Sequence, residues 1–160
     1  MTWFVRNVRD MKWWERGPRG SVALFVENED DQVGVNLFVL GPGQPMSMYH
    51  WEADQEGFLV LSGEALLIVE DEERPLRAWD YFHCPPNVPH TIVGAGSGPS
   101  AILAIGARVH QDLEGWGGYP YSEVAMKHDA SAEEETTDPK VAYGRFPARQ
   151  EGEFREGWLP

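Results

Sequence analysis

GQPMSMYHWEADQEGFLVLSG, residues 43–63, is the stretch from which the fold and the chemistry of this chain are best read. Two apolar runs, MSMYHW (46–51) and GFLVLSG (57–63), flank a turn at Ala53–Gln55, the pattern of two joined β-strands. His50 and Glu52 are two residues apart, so in extended backbone both side chains leave the same face. Glu56 has the same parity and stands just past the turn, where the second strand begins. Three side chains of metal-ligand type therefore converge from adjacent strands. A fourth, His90, follows the rigid PPNVP turn (85–89), whose prolines fix the direction in which the next strand enters.

Working outward, the same texture continues from Ser21 to Val109. SVALFV (21–26), VGVNLFVL (33–40), EALLIVE (64–70), RPLRAW (74–79), YFHCP (81–85), HTIVG (90–94) and SAILAIGARV (100–109) are short runs rich in β-branched, aliphatic and aromatic residues. Turn residues punctuate them: GPGQP (41–45), DEE (71–73), and GAGSGP (94–99), read as a hairpin loop. No amphipathic helix interrupts the span, so the residues predict an all-β sandwich or closed barrel. The expected organisation is an N-terminal arm (1–20), a barrel (21–110) and a C-terminal extension (111–160). The arm holds Trp3, Trp13 and Trp14, expected to pack on the barrel or across a subunit interface. SAEEETT (131–137) and DPKVAYGRF (138–146) have helix-capping patterns and predict two short C-terminal helices.

His50, Glu52, Glu56 and His90 make a mixed nitrogen–oxygen donor set suited to Zn, Mn, Fe or Ni. Two carboxylates this close repel unless a cation sits between them or one takes up a proton. His83, in YFHCP, is a candidate general base, as is Glu52 if it is not a ligand. Cys84, its neighbour, faces the other way and reads as a small buried hydrophobe. Tyr49 and Trp51 flank His50 and should point outward, whereas Met46, Met48, Phe58 and Ile92 are candidates to line a partly apolar pocket. His110 and His128 fall outside the motif.

The order Gly43, His50-x-Glu52-x3-Glu56-x6-Gly63, then Pro85-x-Asn87-x2-His90-x3-Gly94, resembles the two motifs of the cupin superfamily over roughly residues 33–106. The resemblance implies a double-stranded β-helix (jelly-roll) barrel, with the residues at His50, Glu52, Glu56 and His90 binding a metal inside it. The chain departs from that pattern at several positions. Glu52 replaces the second histidine of the first motif, and Gly43 is one residue further from His50 than usual. Trp79 and Asn87 stand where the second motif has glycines, and Gly94 stands where it ends on asparagine.

The expected function is a metal-dependent enzyme acting on a small organic molecule, as a dioxygenase, isomerase, lyase or decarboxylase. The other class consistent with the sequence is a non-catalytic ligand-binding or sensor barrel with a structural metal or none. With 26 acidic against 13 basic side chains, a net of −13, the surface repels phosphate backbones and anionic membranes, so neither nucleic acid nor membrane is an expected partner. A single cysteine and an opening without leader character predict the cytoplasm. Edge strands and aromatic arms predict a homodimer.

Overall fold

The computed structural model describes residues 3–27, 31–111 and 113–160. Among them the strands are β1 (Trp13–Glu15), β2 (Ser21–Leu24), β3 (Val33–Leu40), β4 (Trp51–Glu52), β5 (Glu56–Ser62), β6 (Glu64–Val69), β7 (Glu72–Arg77), β8 (Tyr81–Cys84), β9 (His90–Ala95), β10 (Ser100–Ala107), β11 (Gly117–Gly118) and β12 (Gln150–Gly152). Two short helices, α1 (Glu123–Met126) and α2 (Pro139–Ala142), lie in the C-terminal extension. A seven-stranded antiparallel sheet in the order β12-β1-β2-β3-β10-β5-β8 packs on a three-stranded sheet, β7-β6-β9, and β4 pairs with β11. This is an all-β jelly-roll barrel.

The interior is apolar because alternate residues of both sheets turn inward. Leu40, Phe58, Val60 and Ile102 from the larger sheet meet Ala65, Leu67 and Ile92 from the smaller one. Strand β9 is buried along five of its six residues, since both of its faces are covered. Tyr49, Ala125 and Ala130 cover its outer side, against Val93 and Ile68. The chain passes between sheets at two corners that touch. Gly63 takes a left-handed φ of +74°, and a Cβ there would lie 2.5 Å from Pro99 O in the other corner, so only glycine fits. The GAGSGP segment is thus an inter-sheet corner and not the expected hairpin loop: β9 pairs with β6, whereas β10 pairs with β3 and β5.

Other readings shift for local reasons. The hairpin between β6 and β7 turns at Glu70–Asp71, both at positive φ, which leaves Glu72 and Glu73 inside β7 and not in a turn. Residues 46–49 do not form a regular strand. Pro45 bridges Val93 and His50 bridges His90, so four residues on one side oppose two on the other, a bulge that resets the side-chain alternation. The 131–137 helix is absent, because the Ser131 hydroxyl accepts from Ser122 N and donates to Ala132 O instead of capping. The first helix forms earlier, at α1, capped by Ser122. The second forms as read, with Asp138 as cap and Pro139 at its first position. No helix among the described residues is long and apolar enough to cross a membrane.

Part of the arm is built into the sheet. Trp13, fully buried in β1, lies against Ala23, Leu37 and Val39 on the outer face of the larger sheet. Its indole N–H donates to Val8 O, and its ring is 4.8 Å from that of Trp158. Trp3, by contrast, is 89 % exposed. Trp13 thus packs the arm against the C-terminal segment that β12 already pairs with β1. Trp13→Ala is expected to cost roughly 3–5 kcal/mol in urea unfolding, and a cost under about 1 kcal/mol would contradict this packing.

Candidate metal centre

His50 and His90 face each other across an antiparallel bridge. His50 N–H donates to His90 O at 3.1 Å, and His90 N–H donates to His50 O at 2.8 Å. Such a reciprocal pair puts both side chains on one face, and the imidazole centroids are 4.9 Å apart. Each ring is then locked in the same way. Nδ1 of His50 lies 2.8 Å from Met48 O, and Nδ1 of His90 lies 3.0 Å from Val88 O. A carbonyl only accepts, so each Nδ1 carries the proton and each Nε2 presents a lone pair.

Glu56 opens β5 between Cys84 of β8 and Gly106 of β10. Its Oε2 is 3.3 Å from His90 Nε2. Both atoms are buried and neither has a hydrogen-bond partner. Donor atoms of His50, Glu56 and His90 all lie within 4.8 Å of one another. Glu52, in β4, places Oε1 3.5 Å from His50 Nε2. The structure thus brings together all four residues expected as ligands. Three form the close cluster, and Glu52 stands beside His50 outside it.

The electrostatics follow from burial. His90 is pushed down to about 3, by desolvation first and then by His50, and so stays neutral. Glu56 is raised to about 7, by burial and then by the Glu52 charge. Burial works against a charged His50, but the hydrogen bond to Glu52 and the charges of Glu56 and Glu52 outweigh it and raise its pKa. Two lone pairs, on Glu56 Oε2 and His90 Nε2, thus oppose each other with no proton between them once Glu56 ionises. A divalent cation resolves that repulsion, and two imidazole nitrogens with a carboxylate are a donor set that fits one.

The remaining sequence candidates divide. His83 is exposed on β8, opposite Gly57, and is absent from the cavity wall, so the reading of it as a general base is corrected: alternation turns Cys84 inward and His83 out. Cys84 is 2 % exposed and its thiol contacts His90 Nδ1 at 3.3 Å. Burial, then the Glu56 and Glu52 charges, push that thiol up to about 12. Met46 and Phe58 line a cavity of about 340 Å³ that His50, Glu52 and Glu56 also line. Met48 does not line it: the bulge sends it elsewhere, fully buried and 3.9 Å from Arg145 Nη2. Ile92 is in the core behind. Tyr49 packs outside β9 as expected, its hydroxyl accepting from Asp71 N. His110 holds Asp54, and His128 pairs with Glu73.

Sequence reading missed the rest of the wall. Arg16 comes from the arm, and Trp116, Tyr119 and Tyr143 from the C-terminal extension. Tyr119 stacks on His50 with centroids 5.9 Å apart and meets Tyr143 edge-on at 5.6 Å. Strand β11 pairs with β4 and braces Glu52 from behind.

A profile of the cupin domain matches residues 36–106, the span that carries all four of these residues. Residues 36–106 are a cupin domain, and through them the chain belongs to the cupin superfamily. This cupin is 38 % identical over 64 residues to a 3-hydroxyanthranilate 3,4-dioxygenase of Xanthomonas euvesicatoria pv. vesicatoria, covering 38 % of this chain and 36 % of that protein. It is 31 % identical over 88 residues to the protein of the same name from Xanthomonas oryzae pv. oryzae, covering 52 % and 49 %. It therefore spans half or less of the length of these curated relatives. A cupin-like protein of Thermotoga maritima superposes with a TM-score of 0.57 at 22 % identity, over 75 % of this chain and 97 % of that one, a likeness of fold.

The burial of Cys84 has a direct consequence. A disulfide reagent at pH 8 should leave the native thiol unlabelled and titrate one thiol per chain in denaturant. Rapid labelling of the folded protein would contradict the placement of β8.

Proposed function

We propose that this cupin holds one divalent metal on His50, Glu56 and His90 and acts on a small organic molecule in the adjoining cavity. The observation that carries the reading is the buried pair Glu56 Oε2 and His90 Nε2, 3.3 Å apart and each without a hydrogen-bond partner. Groups so placed are costly unless a cation joins them or Glu56 takes up a proton. Two histidines and one carboxylate are the ligand set of non-haem iron(II) centres with open positions, and the curated relatives are named dioxygenases, so iron(II) and oxidative chemistry are the first assignment. When bound, such an ion supplies a Lewis acid and a site for dioxygen.

The chain's own residues do the rest. Met48 O and Val88 O hold the two imidazoles in the tautomer that offers Nε2. Glu52 lines the cavity with its carboxylate 3.5 Å from His50 Nε2, and is the group we assign to take a proton from substrate at Oε. Phe38, Met46 and Phe58 give the cavity apolar walls that displace water around a bound molecule.

Metal content by elemental analysis tests this reading. Reconstituted wild type should hold about one equivalent per chain, His50→Ala and His90→Ala less than about 0.2, and Glu52→Gln close to the wild-type amount. Wild type without metal after reconstitution, or His90→Ala with full metal, would remove the metal centre. Failure of the iron form to consume dioxygen with any of a panel of small phenols and organic acids would remove the oxidative assignment and leave the metal site standing.

A further inference from the structure

The cavity that Glu52 and Glu56 line contains a buried cation, Arg16, that no carboxylate among the described residues pairs. Arg16 sits where β1 turns toward β2, in a tight turn closed by Arg16 N–H donating to Gly20 O at 2.9 Å. Its side chain is buried, the residue being 7 % exposed, and lines the same cavity as His50. Nη1 donates to Met46 O at 2.7 Å, Nη2 donates to Arg19 O, and the guanidinium carbon lies 4.8 Å over the Phe38 ring. Those contacts use two of the five N–H donors of a guanidinium, and the buried Nε has no partner. Among the described residues no carboxylate lies within ion-pair distance of Arg16.

Buried charges are normally paired, and this chain has 26 acidic side chains from which to supply a partner. The charge that bears on Arg16 is instead a second cation, Arg19. Burial and then Arg19 push Arg16 down to about 9, which still leaves it charged at neutral pH. Arg19 lies 4.5 Å over Tyr143, which meets Tyr119, which stacks on His50. A line of contacts thus joins this cationic corner to the histidine cluster.

We propose that Arg16 anchors the carboxylate of an organic acid substrate, which reaches across the cavity to the end formed by His50 and Glu56. This rests on the function proposed above, because it names the substrate class of the same cavity. A carboxylate suits the site better than a phosphate. A guanidinium offers parallel N–H groups to two oxygens of one carboxylate. A monoanion also meets less repulsion from Glu52 and Glu56 than a dianion does. At about 340 Å³ the cavity is at the small end of the range for small-molecule sites.

Calorimetric titration tests the anchor without recourse to turnover. Benzoate and butyrate, each beside its neutral amide, and phenyl phosphate are titrated into wild type, Arg16→Lys and Arg16→Gln, metal-free and metal-loaded, with metal content measured on every sample. Wild type should bind an acid at least about tenfold more tightly than its amide, and Arg16→Gln should lose that preference in both forms. Arg16→Lys, a point charge without the fork, should keep only part of it. Equal binding of acid and amide, no acid bound up to about 10 mM, or a preference that survives Arg16→Gln would overturn the anchor. Phenyl phosphate binding more tightly than benzoate would overturn the choice of carboxylate. Should Arg16→Gln not fold, the acid-against-amide comparison in wild type and the loss in Arg16→Lys decide. Arg16-dependent acid binding in a protein that takes up no metal would sink the metal reading alone. Full metal content with no acid preference would sink the anchor alone.

Discussion

The reciprocal main-chain bridge between His50 and His90 is the constraint on which the site depends. It brings two imidazoles to one face, and each then spends its Nδ1 proton on the carbonyl two residues before it. Once both rings are fixed in that tautomer, two Nε2 lone pairs are committed before any ligand arrives. Glu56, delivered by β5, adds a carboxylate oxygen with nowhere else to go. Once Glu56 ionises, the cluster is over-supplied with electron pairs. That imbalance, and not a likeness of motif, is the physical case for a cation.

The barrel and the flanking segments have different tasks. Strands β9 and β5 carry His90 and Glu56, and the bridge to β9 holds His50 just before β4, where close contacts leave little slack. A Cβ on Gly94, for example, would lie 2.1 Å from Gly41 O, so β9 and the 41–45 loop meet backbone to backbone. The arm and the C-terminal extension finish the cavity by supplying Arg16, Tyr119 and Tyr143, and they brace Glu52 through β11. The segment just after β10 ties the loop that precedes Glu56: Asp54 accepts from His110 N and pairs with its Nδ1. A shared barrel with distinct flanks is a natural way for one fold to present one metal set to different substrates.

How much of this was legible in the sequence depended on range. Local alternation was enough to place His50 beside Glu52, and to set Glu56 past the turn, because period-two geometry holds over a few residues. The same rule failed for Met48, since the bulge at 46–49 inserts residues that no local pattern announces. For His83 and Cys84 alternation correctly gave opposite faces, and which of the two faced inward was fixed only by the pairing of β8 with β5. The departures from the family pattern at Trp79 and Asn87 are explained by backbone: both sit at positive φ, 75° and 65°, the conformation that favours glycine. Arg16 and Tyr143 were invisible for a different reason. Nothing near them in sequence marks them, and they enter the wall only because the arm pairs as β1 and the tail folds back over it.

Anomalous diffraction from crystals of the reconstituted protein, collected on either side of the absorption edge of the bound metal, tests the central claim most directly. The account predicts one peak per chain, about 2.0–2.3 Å from His50 Nε2, His90 Nε2 and a Glu56 oxygen. No peak there, or a peak confined to the pairs His110–Asp54 or His128–Glu73 away from the cluster, would contradict it.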